Sequence, residues 1–201
     1  MHWDMRALGP RDRYKIIGSC IVPRPIAWIS SLSADGVPNL APFSFFNAMG
    51  NDPPILAIGM VKSATAGFKD TAANIRDTGD FVVNLVKAEH AALMNATSAD
   101  LPPEIEEAAL AGVQMEASLC VSAQRVADAP VAFECRTVHY IETGPCQVTV
   151  LAEVLMAHVA DQFVTDPDRI HFDIEAMDMV ARMHGAGWYS RQTNLFEMLR
   201  P

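Results

Sequence analysis

The sequence predicts a mainly β protein, an antiparallel barrel with peripheral α-helices. Three observations support this fold class: β-branched runs alternate with turn signals in the first half, two much longer β-rich runs follow in the second half, and the helical segments are short. Strands of roughly ten or more residues are typical of bent barrel strands rather than of parallel α/β sheets. The 201 residues suit one domain spanning 1–201, with a helical excursion near 88–111.

The first strands are separated by recognisable turns. Extended runs at 20–31, 37–46 and 55–61 are divided by the turn residues Ala34-Asp35-Gly36 and Asn51-Asp52-Pro53-Pro54. This order predicts a hairpin followed by a third strand.

Short helices and further strands follow. Helical spacing predicts three helices, at 70–78, 88–95 and 104–111. Asp70 or Thr71 can cap the first helix, and Gly79 lies just beyond its C-terminus, where a left-handed residue is favoured. Strands are predicted at 81–86, 132–142, 147–158 and 179–183, and the two long ones are joined by a turn at Thr143-Gly144-Pro145.

The composition indicates a protein with apolar surface to cover. Half of the residues are apolar, and the chain contains 11 Met and 9 Phe, so we expect an oligomer or a planar ligand to cover part of the surface. The formal charge of −9 argues against nucleic acids and anionic membranes as partners. The N-terminus lacks the pattern of an export signal and no run reaches about 18 apolar residues, so we expect a cytoplasmic protein.

Several chemistries are excluded by inspection. The four cysteines form no C-x-x-C pair, and we expect Cys20, Cys120, Cys135 and Cys146 to be buried thiols. The six histidines never show the spacing of metal ligands, so no metal site is predicted. The sequence also lacks a nucleophile elbow, a phosphate-binding P-loop and a glycine-rich dinucleotide fingerprint.

Two stretches carry features that suggest a ligand site. In the segment 39–46, Pro42 has no N–H and is expected to break the strand ladder, so the backbone of Ala41 and Phe43 can face a flat ligand, and Asn39 and Ser44 add polar side chains. The other interpretation is a strand whose Phe residues fill a core. The residues alone leave both interpretations open.

The second stretch is Lys69-Asp70-Thr71 at the start of the first predicted helix. Free backbone N–H groups, the positive end of the helix dipole, a hydroxyl and an ammonium group together suit a phosphate. An ordinary cap by Asp70 is the alternative, and its carboxylate would repel a phosphate.

Five strings in order resemble a known family, the flavin reductase-like, flavoredoxin-like FMN-binding split barrels. They are R-P-I-A-W-I-S-S at 24–31, N-L-A-P-F-S-F-F at 39–46, K-D-T-A-A-N-I at 69–75, G-D-F-V-V-N at 79–84 and R-M-H-G-A-G-W-Y at 182–189. The resemblance extends from about Tyr14 to Tyr189. The acidic segment 100–107 and the tail after Tyr189 match no motif of this family.

The resemblance implies a six-stranded antiparallel split barrel that forms a homodimer and binds one FMN, with FAD as an alternative flavin. It implies an NAD(P)H:flavin oxidoreductase that transfers hydride from a nicotinamide nucleotide to the flavin. Ser30, Ser31 and the stretch beginning at Lys69 would hold the phosphate and ribityl chain, and the segment 39–45 would line the ring. The cofactor-binding residues implied in this way are Trp28, Ser30, Ser31, Asn39, Ala41, Pro42, Phe43, Ser44, Phe45, Lys69, Asp70, Thr71, Arg182 and Tyr189.

No side chain is assigned as a catalytic acid or base, because the flavin carries the chemistry of hydride transfer. The reduced flavin would then serve an oxygenase or another electron acceptor. A flavin-binding electron carrier without enzymatic activity is the first alternative function. A haem-binding barrel is a more distant one, since no histidine is placed convincingly as an axial ligand.

Overall fold

The computed structural model describes residues 1–61, 70–102 and 105–199. Within these ranges the α-helices are α1 Pro10–Cys20, α2 Asp70–Thr78, α3 Ala91–Ala96 and α4 Glu107–Ala111, with 3₁₀ turns at Ala88–His90 and Asp161–Phe163. The strands are β1 Arg24–Pro25, β2 Ala27–Leu32, β3 Pro38–Phe43, β4 Phe45–Asn51, β5 Pro54–Val61, β6 Asp80–Asn84, β7 Met115–Glu116, β8 Arg125–Val126, β9 Val131–Gly144, β10 Gln147–Val159, β11 Val164–Asp166, β12 His171–Phe172, β13 Val180–Arg182 and β14 Tyr189–Arg191. The mainly β architecture with peripheral helices is therefore confirmed.

Among the residues that the structure describes, the main sheet has seven antiparallel strands in the order β3-β2-β6-β9-β10-β5-β4. Its two outer strands, β3 and β4, are consecutive in the chain with only Ser44 between them. Because one residue joins the two edges, the sheet must curl round on itself into a split barrel. Six strands were expected, and the count is seven because the run 37–46 divides at Ser44 into strands that pair with different neighbours.

Pro42 does not interrupt its strand, contrary to the expectation that it breaks the ladder. It lies within β3 opposite Trp28 of β2. The outer position of β3 explains this, because a proline without an N–H is tolerated on an edge strand.

The long hairpin of β9 and β10 is confirmed. Its turn lies at Pro145 and Cys146 rather than at 143–145, because β9 continues to Gly144. Register shifts interrupt the pairing at three places. Such irregularities bend and twist a long strand, which lets β9 pair with β6 while β10 pairs with β5.

The helix α2 has the bounds that its sequence predicts, and the backbone N–H of Gly79 donates to Ile75 O beyond its last turn. The helix α1 was missed: no element was predicted for 10–19, and its last residue, Cys20, was assigned to the extended run 20–31. Tyr14 and Ile17 of α1 are exposed, so the helix lacks the clear apolar face by which a packed helix is recognised.

The core lies on both faces of β2. Ala27 and Ile29 point into the barrel with Ile58 and Phe81. Trp28, on the opposite face, packs in a second cluster formed with α3 and α4. Both faces are buried because the barrel fills one side and the helices cover the other.

The cysteine expectation was largely wrong. Only Cys135 is buried, and burial raises the pKa of its thiol to about 12. Cys20, Cys120 and Cys146 are exposed, since they lie at a helix end, in a loop and in a hairpin turn. Within the described ranges, no helix is long and apolar enough to cross a membrane.

Candidate functional site

A cavity of about 280 Å³ opens where β3 passes into β4. We call it the junction cavity. It is lined by Tyr14, Ile26, Pro42, Phe43, Ser44, Met94, Asn95, Ser98, Arg182, Ala186 and Tyr189. Three of these residues, Pro42, Phe43 and Ser44, come from the segment that the sequence nominates as a ligand site.

A small three-stranded sheet brings the C-terminal motif to this cavity. Its order is β1-β13-β14, and its register places Arg182 opposite Arg24 on one side and opposite Tyr189 on the other. The guanidinium of Arg182 donates to Tyr189 Oη at 2.7 Å and to Gly185 O at 3.1 Å. It also lies over the Tyr189 ring, 4.8 Å from the centroid.

Arg24 is a buried cation beside the junction cavity. Its guanidinium donates to three backbone carbonyls, those of Gly18, Ile21 and Met183. Burial and the charge of Arg182 both lower the pKa of Arg24 below its ordinary value. The residue remains charged, and it joins the C-terminal end of α1 to the end of β13.

A second cavity, of about 240 Å³, lies on the other side of Ser44. Phe45, Arg24 and Met49 are among its lining residues, and Ser44 is shared with the junction cavity. The edge of the Phe45 ring meets Tyr14 at a centroid distance of 5.9 Å. The junction of β3 and β4 is thus open on both sides, with aromatic walls.

A buried chain of hydrogen bonds joins the start of α2 to β3. Thr71 Oγ1 donates to Asn39 Oδ1 at 2.6 Å, and Asn39 Nδ2 donates to Glu107 Oε1 at 2.9 Å. The other carboxylate oxygen of Glu107 accepts from Leu40 N at 3.1 Å. The two nominated stretches therefore meet at Asn39, where their side chains satisfy one another.

Comparison with known proteins decides the family. The family model described as "Flavin reductase like domain" matches residues 18–175. The chain belongs to the flavin reductase-like family.

Relatives and solved structures agree with this assignment. An uncharacterized protein of Deinococcus radiodurans is 38% identical over 99% of this chain and 89% of its own length. The 2-nitrobenzoate 2-nitroreductase NbaA of Pseudomonas fluorescens is 30% identical, with a TM-score of 0.90 over 100% of this chain and 96% of that one. Component B of nitrilotriacetate monooxygenase from Bacillus cereus is 28% identical, with a TM-score of 0.91 over 98% of both chains.

The structure divides the residues implied by the flavin reductase-like motifs into separate groups. Pro42, Phe43, Ser44, Arg182 and Tyr189 meet at the junction cavity. Phe45 faces the second cavity, and Ala41 is half-buried in β3 opposite Ile29.

A further group has buried side chains with partners inside the protein. The indole of Trp28 donates to Thr97 Oγ1 at 2.9 Å, Ser30 donates to Gln124 O, and Ser31 Oγ accepts from Asn74 Nδ2 at 3.1 Å. These side chains fix β2 to its surroundings. Asp70 is half-buried at the start of α2, and Lys69 lies outside the described residues.

Several residues of the site were not recognised from the sequence. Arg24 opens the first family string, yet an arginine before a proline carries no signal of burial. Glu107 lies in an acidic segment that looks exposed, and its place against Asn39 depends on how α4 packs. Asn95 and Ser98 follow from the fold alone, because they lie outside every string from which the site was predicted.

Proposed function

We propose that this protein is an FMN-binding NAD(P)H:flavin oxidoreductase that works as a homodimer. Membership of the flavin reductase-like family supports flavin-dependent oxidoreductase chemistry. The observation that carries the proposal is the meeting of Phe43 and Ser44 with Arg182 and Tyr189 around one cavity. These residues come from two family strings far apart in the sequence.

The residues present fit a flavin. The strand β3 is an outer strand, so alternate backbone groups point away from β2. Leu40 N–H is bound to Glu107, and Pro38 and Pro42 have no N–H, so β3 offers a ligand carbonyl acceptors on this edge. Asn39 and Ser44 lie five residues apart on this edge, about 16 Å at 3.3 Å per residue. That length suits a ring system at the Ser44 end and a phosphorylated chain toward the start of α2.

A bound flavin would supply the ring that accepts a hydride from the nicotinamide. The role of the chain is to bind, orient and exclude water, because hydride transfer needs close stacking more than it needs a protein acid or base. Phe43 and Tyr189 provide aromatic walls for this purpose.

Two similar proteins suggest what receives the electrons. One is a component of a monooxygenase and the other is a nitroreductase. We therefore propose an oxygenase or a small organic molecule as the acceptor of electrons from the reduced flavin.

The direct test is an FMN and FAD titration followed by anaerobic addition of NADH or NADPH. We expect FMN to bind with a shifted visible spectrum, and the spectrum to bleach at catalytic rates. A flavin that binds but does not react with either nucleotide would instead identify an electron carrier, and failure to bind either flavin would refute the proposal.

A cavity-filling variant tests the position of the flavin. Ser98→Phe adds a ring at the mouth of the junction cavity, so we expect FMN affinity to fall by about tenfold or more, which is about 1.4 kcal/mol. Ala99→Phe is the matched control, since Ala99 is exposed and does not line the cavity. Equal FMN affinities in the two variants would show that the flavin binds elsewhere.

A further inference from the structure

The segment 193–199, which follows β14, is an apolar stretch that its own chain leaves uncovered. The backbone N–H of Gln192 donates to Met179 O, and beyond it no hydrogen bond or ion pair joins 193–199 to any other part of the chain that the structure describes. Four large apolar side chains of this segment are between 63% and 87% exposed: Leu195, Phe196, Met198 and Leu199. Scattered exposed apolar residues are normal, but neighbouring ones form a patch that indicates a contact with another surface.

The second cavity offers a mainly apolar space for such side chains. Ile21, Phe45 and Met49 are among its walls, and its volume is about 240 Å³. Small residues of β5 keep it open, because Ala57 lines it and Gly59 lies opposite Phe45. A Cβ at Gly59 would lie 3.1 Å from Phe45 Cβ, so a larger residue there would displace this aromatic wall.

The charges of the segment and of the cavity are complementary. Among the described residues that line the second cavity, Arg24 carries a positive charge and none is acidic. Within the described ranges, the hydrogen bonds of the Arg24 guanidinium go to three backbone carbonyls and to Ser44 Oγ. The segment 193–199 contains one charged residue, Glu197, between Phe196 and Met198. A carboxylate among apolar side chains therefore matches a cation in an apolar wall.

We propose that the segment 193–199 of one copy of this chain docks in the second cavity of a second copy, and that two copies exchange these segments. The cavity of the same chain is not where the segment lies, since its apolar side chains are exposed. Exchange about a two-fold axis closes with two copies, because each copy gives one segment and receives one.

The area available is sufficient for a stable dimer. One buried Phe side chain removes roughly 150–250 Å² from water. Two exchanged segments, with the residues that they cover, therefore reach the roughly 1,200–2,000 Å² of a specific interface. The inference rests on the proposed function only in that both assume a homodimer.

Analytical ultracentrifugation over a range of protein concentrations measures the dissociation constant of the dimer. We expect Phe196→Asp to raise this constant at least tenfold, because the dimer would then bury a carboxylate in an apolar cavity. The fold of one chain does not depend on Phe196, since its side chain is exposed. Thr193→Asp is the matched control, because it adds the same charge to the same exposed segment and removes no apolar side chain. It should change the constant by less than about twofold.

A variant of the cavity tests the other half of the contact. Ala57→Leu fills the second cavity, so we expect it also to raise the dissociation constant by about tenfold. Ala157→Leu is its control, at an exposed alanine of β10 that does not line the cavity, and should leave the constant unchanged. Far-UV circular dichroism shows that each variant is folded.

Disulfide trapping identifies the copy that supplies the segment. The background protein carries three substitutions that remove the exposed thiols: Cys20→Ser, Cys120→Ser and Cys146→Ser. In this background, Met49→Cys/Phe196→Cys should give a covalent species of twice the 21.9 kDa chain mass on a non-reducing gel. Ala157→Cys/Phe196→Cys is the control and should give only the single chain.

Each other outcome overturns a defined part of the proposal. A disulfide within one chain would show that the segment docks in the cavity of its own chain, and an equal dissociation constant in Phe196→Asp and wild type would show that the segment does not hold the dimer. Either result refutes this inference alone. A wild-type monomer that binds FMN and is reduced by NADH or NADPH would refute the exchange and the homodimer but not the reaction. A dimer that exchanges segments and binds neither flavin would refute the proposed reaction alone.

Discussion

Glu134 is a fully buried carboxylate that organises a loop remote from the junction cavity. Its oxygens accept hydrogen bonds from the backbone N–H groups of Leu119, Cys120 and Val121, and His158 Nε2 lies 2.6 Å from Oε1. Burial opposes ionisation, but the hydrogen bonds from Leu119 and His158 outweigh it and hold the pKa of Glu134 below its ordinary value. The carboxylate thus replaces backbone partners that the loop lacks.

Glu134→Gln should lower the free energy of unfolding by about 2 kcal/mol at neutral pH, because an amide can satisfy fewer of the converging donors. Urea denaturation measures this. Because the pKa of Glu134 is lowered in the folded protein, its ionised carboxylate contributes stability. This contribution is complete above the ordinary pKa of 4.5 and is lost as the pH falls through the pKa of the folded protein. The difference in free energy of unfolding between the wild type and Glu134→Gln should therefore shrink below about pH 4.5.

The exposed Glu142 of the same strand supplies the control. Glu142→Gln should change the free energy of unfolding by less than about 0.5 kcal/mol. A difference between wild type and Glu134→Gln that stays constant from neutral pH to pH 3 would contradict the proposed role of the ionised carboxylate.

At the residue scale, the sequence predicted which segment lines the junction cavity better than it predicted the contacts of each side chain. The string at 39–46 contains both Asn39, whose side chain links β3 to α2, and Ser44, which lines the junction cavity. The sequence could not separate these roles, because a partner such as Glu107 is brought close only by folding. Buried polar groups take whatever partner the fold supplies.

At the element scale, strands and turns were predictable where local signals are strong. The long strands β9 and β10 and the helix α2 combine clear patterning with turn or cap residues. The helix α1 and the division of the run 37–46 at Ser44 were not predictable in this way. The helix α1 has exposed apolar residues, and the division depends on which strands pair. Pairing is a property of the sheet rather than of the segment.

The end of α2 provides a clean test of an element boundary. Gly79 has φ +79, and a Cβ at this position would meet nothing within 4 Å. Gly79→Ala should therefore destabilise the protein by about 1 kcal/mol through backbone strain alone, as thermal or urea unfolding will measure. Gly187 also has open space but no positive φ, so Gly187→Ala should be close to neutral. Equal effects of the two substitutions would show that strain at Gly79 is unimportant.

At the scale of the whole molecule, closure of the barrel places the site and an apolar surface side by side. Tyr14 lines the junction cavity and Ile21 lines the second cavity, and both belong to the α1 region. Tyr14, Ile17, Ile21 and Met49 are all more than 40% exposed. Exposed apolar groups at the rim of two cavities are the expected place for a subunit contact.

A homodimer formed through this surface should be disrupted by charge. The double variant Ile17→Lys/Ile21→Lys should shift the protein from dimer to the 21.9 kDa monomer in analytical ultracentrifugation, because burying two ammonium groups in an apolar contact is costly. Leu110→Lys/Leu119→Lys is the matched control, since these leucines are 67% and 73% exposed on other parts of the molecule. If the cavities depend on the contact, FMN affinity should fall with the loss of the dimer. A dimer that both double variants leave intact would show that the subunit contact lies elsewhere. A wild-type protein that is a monomer would show that there is no such contact.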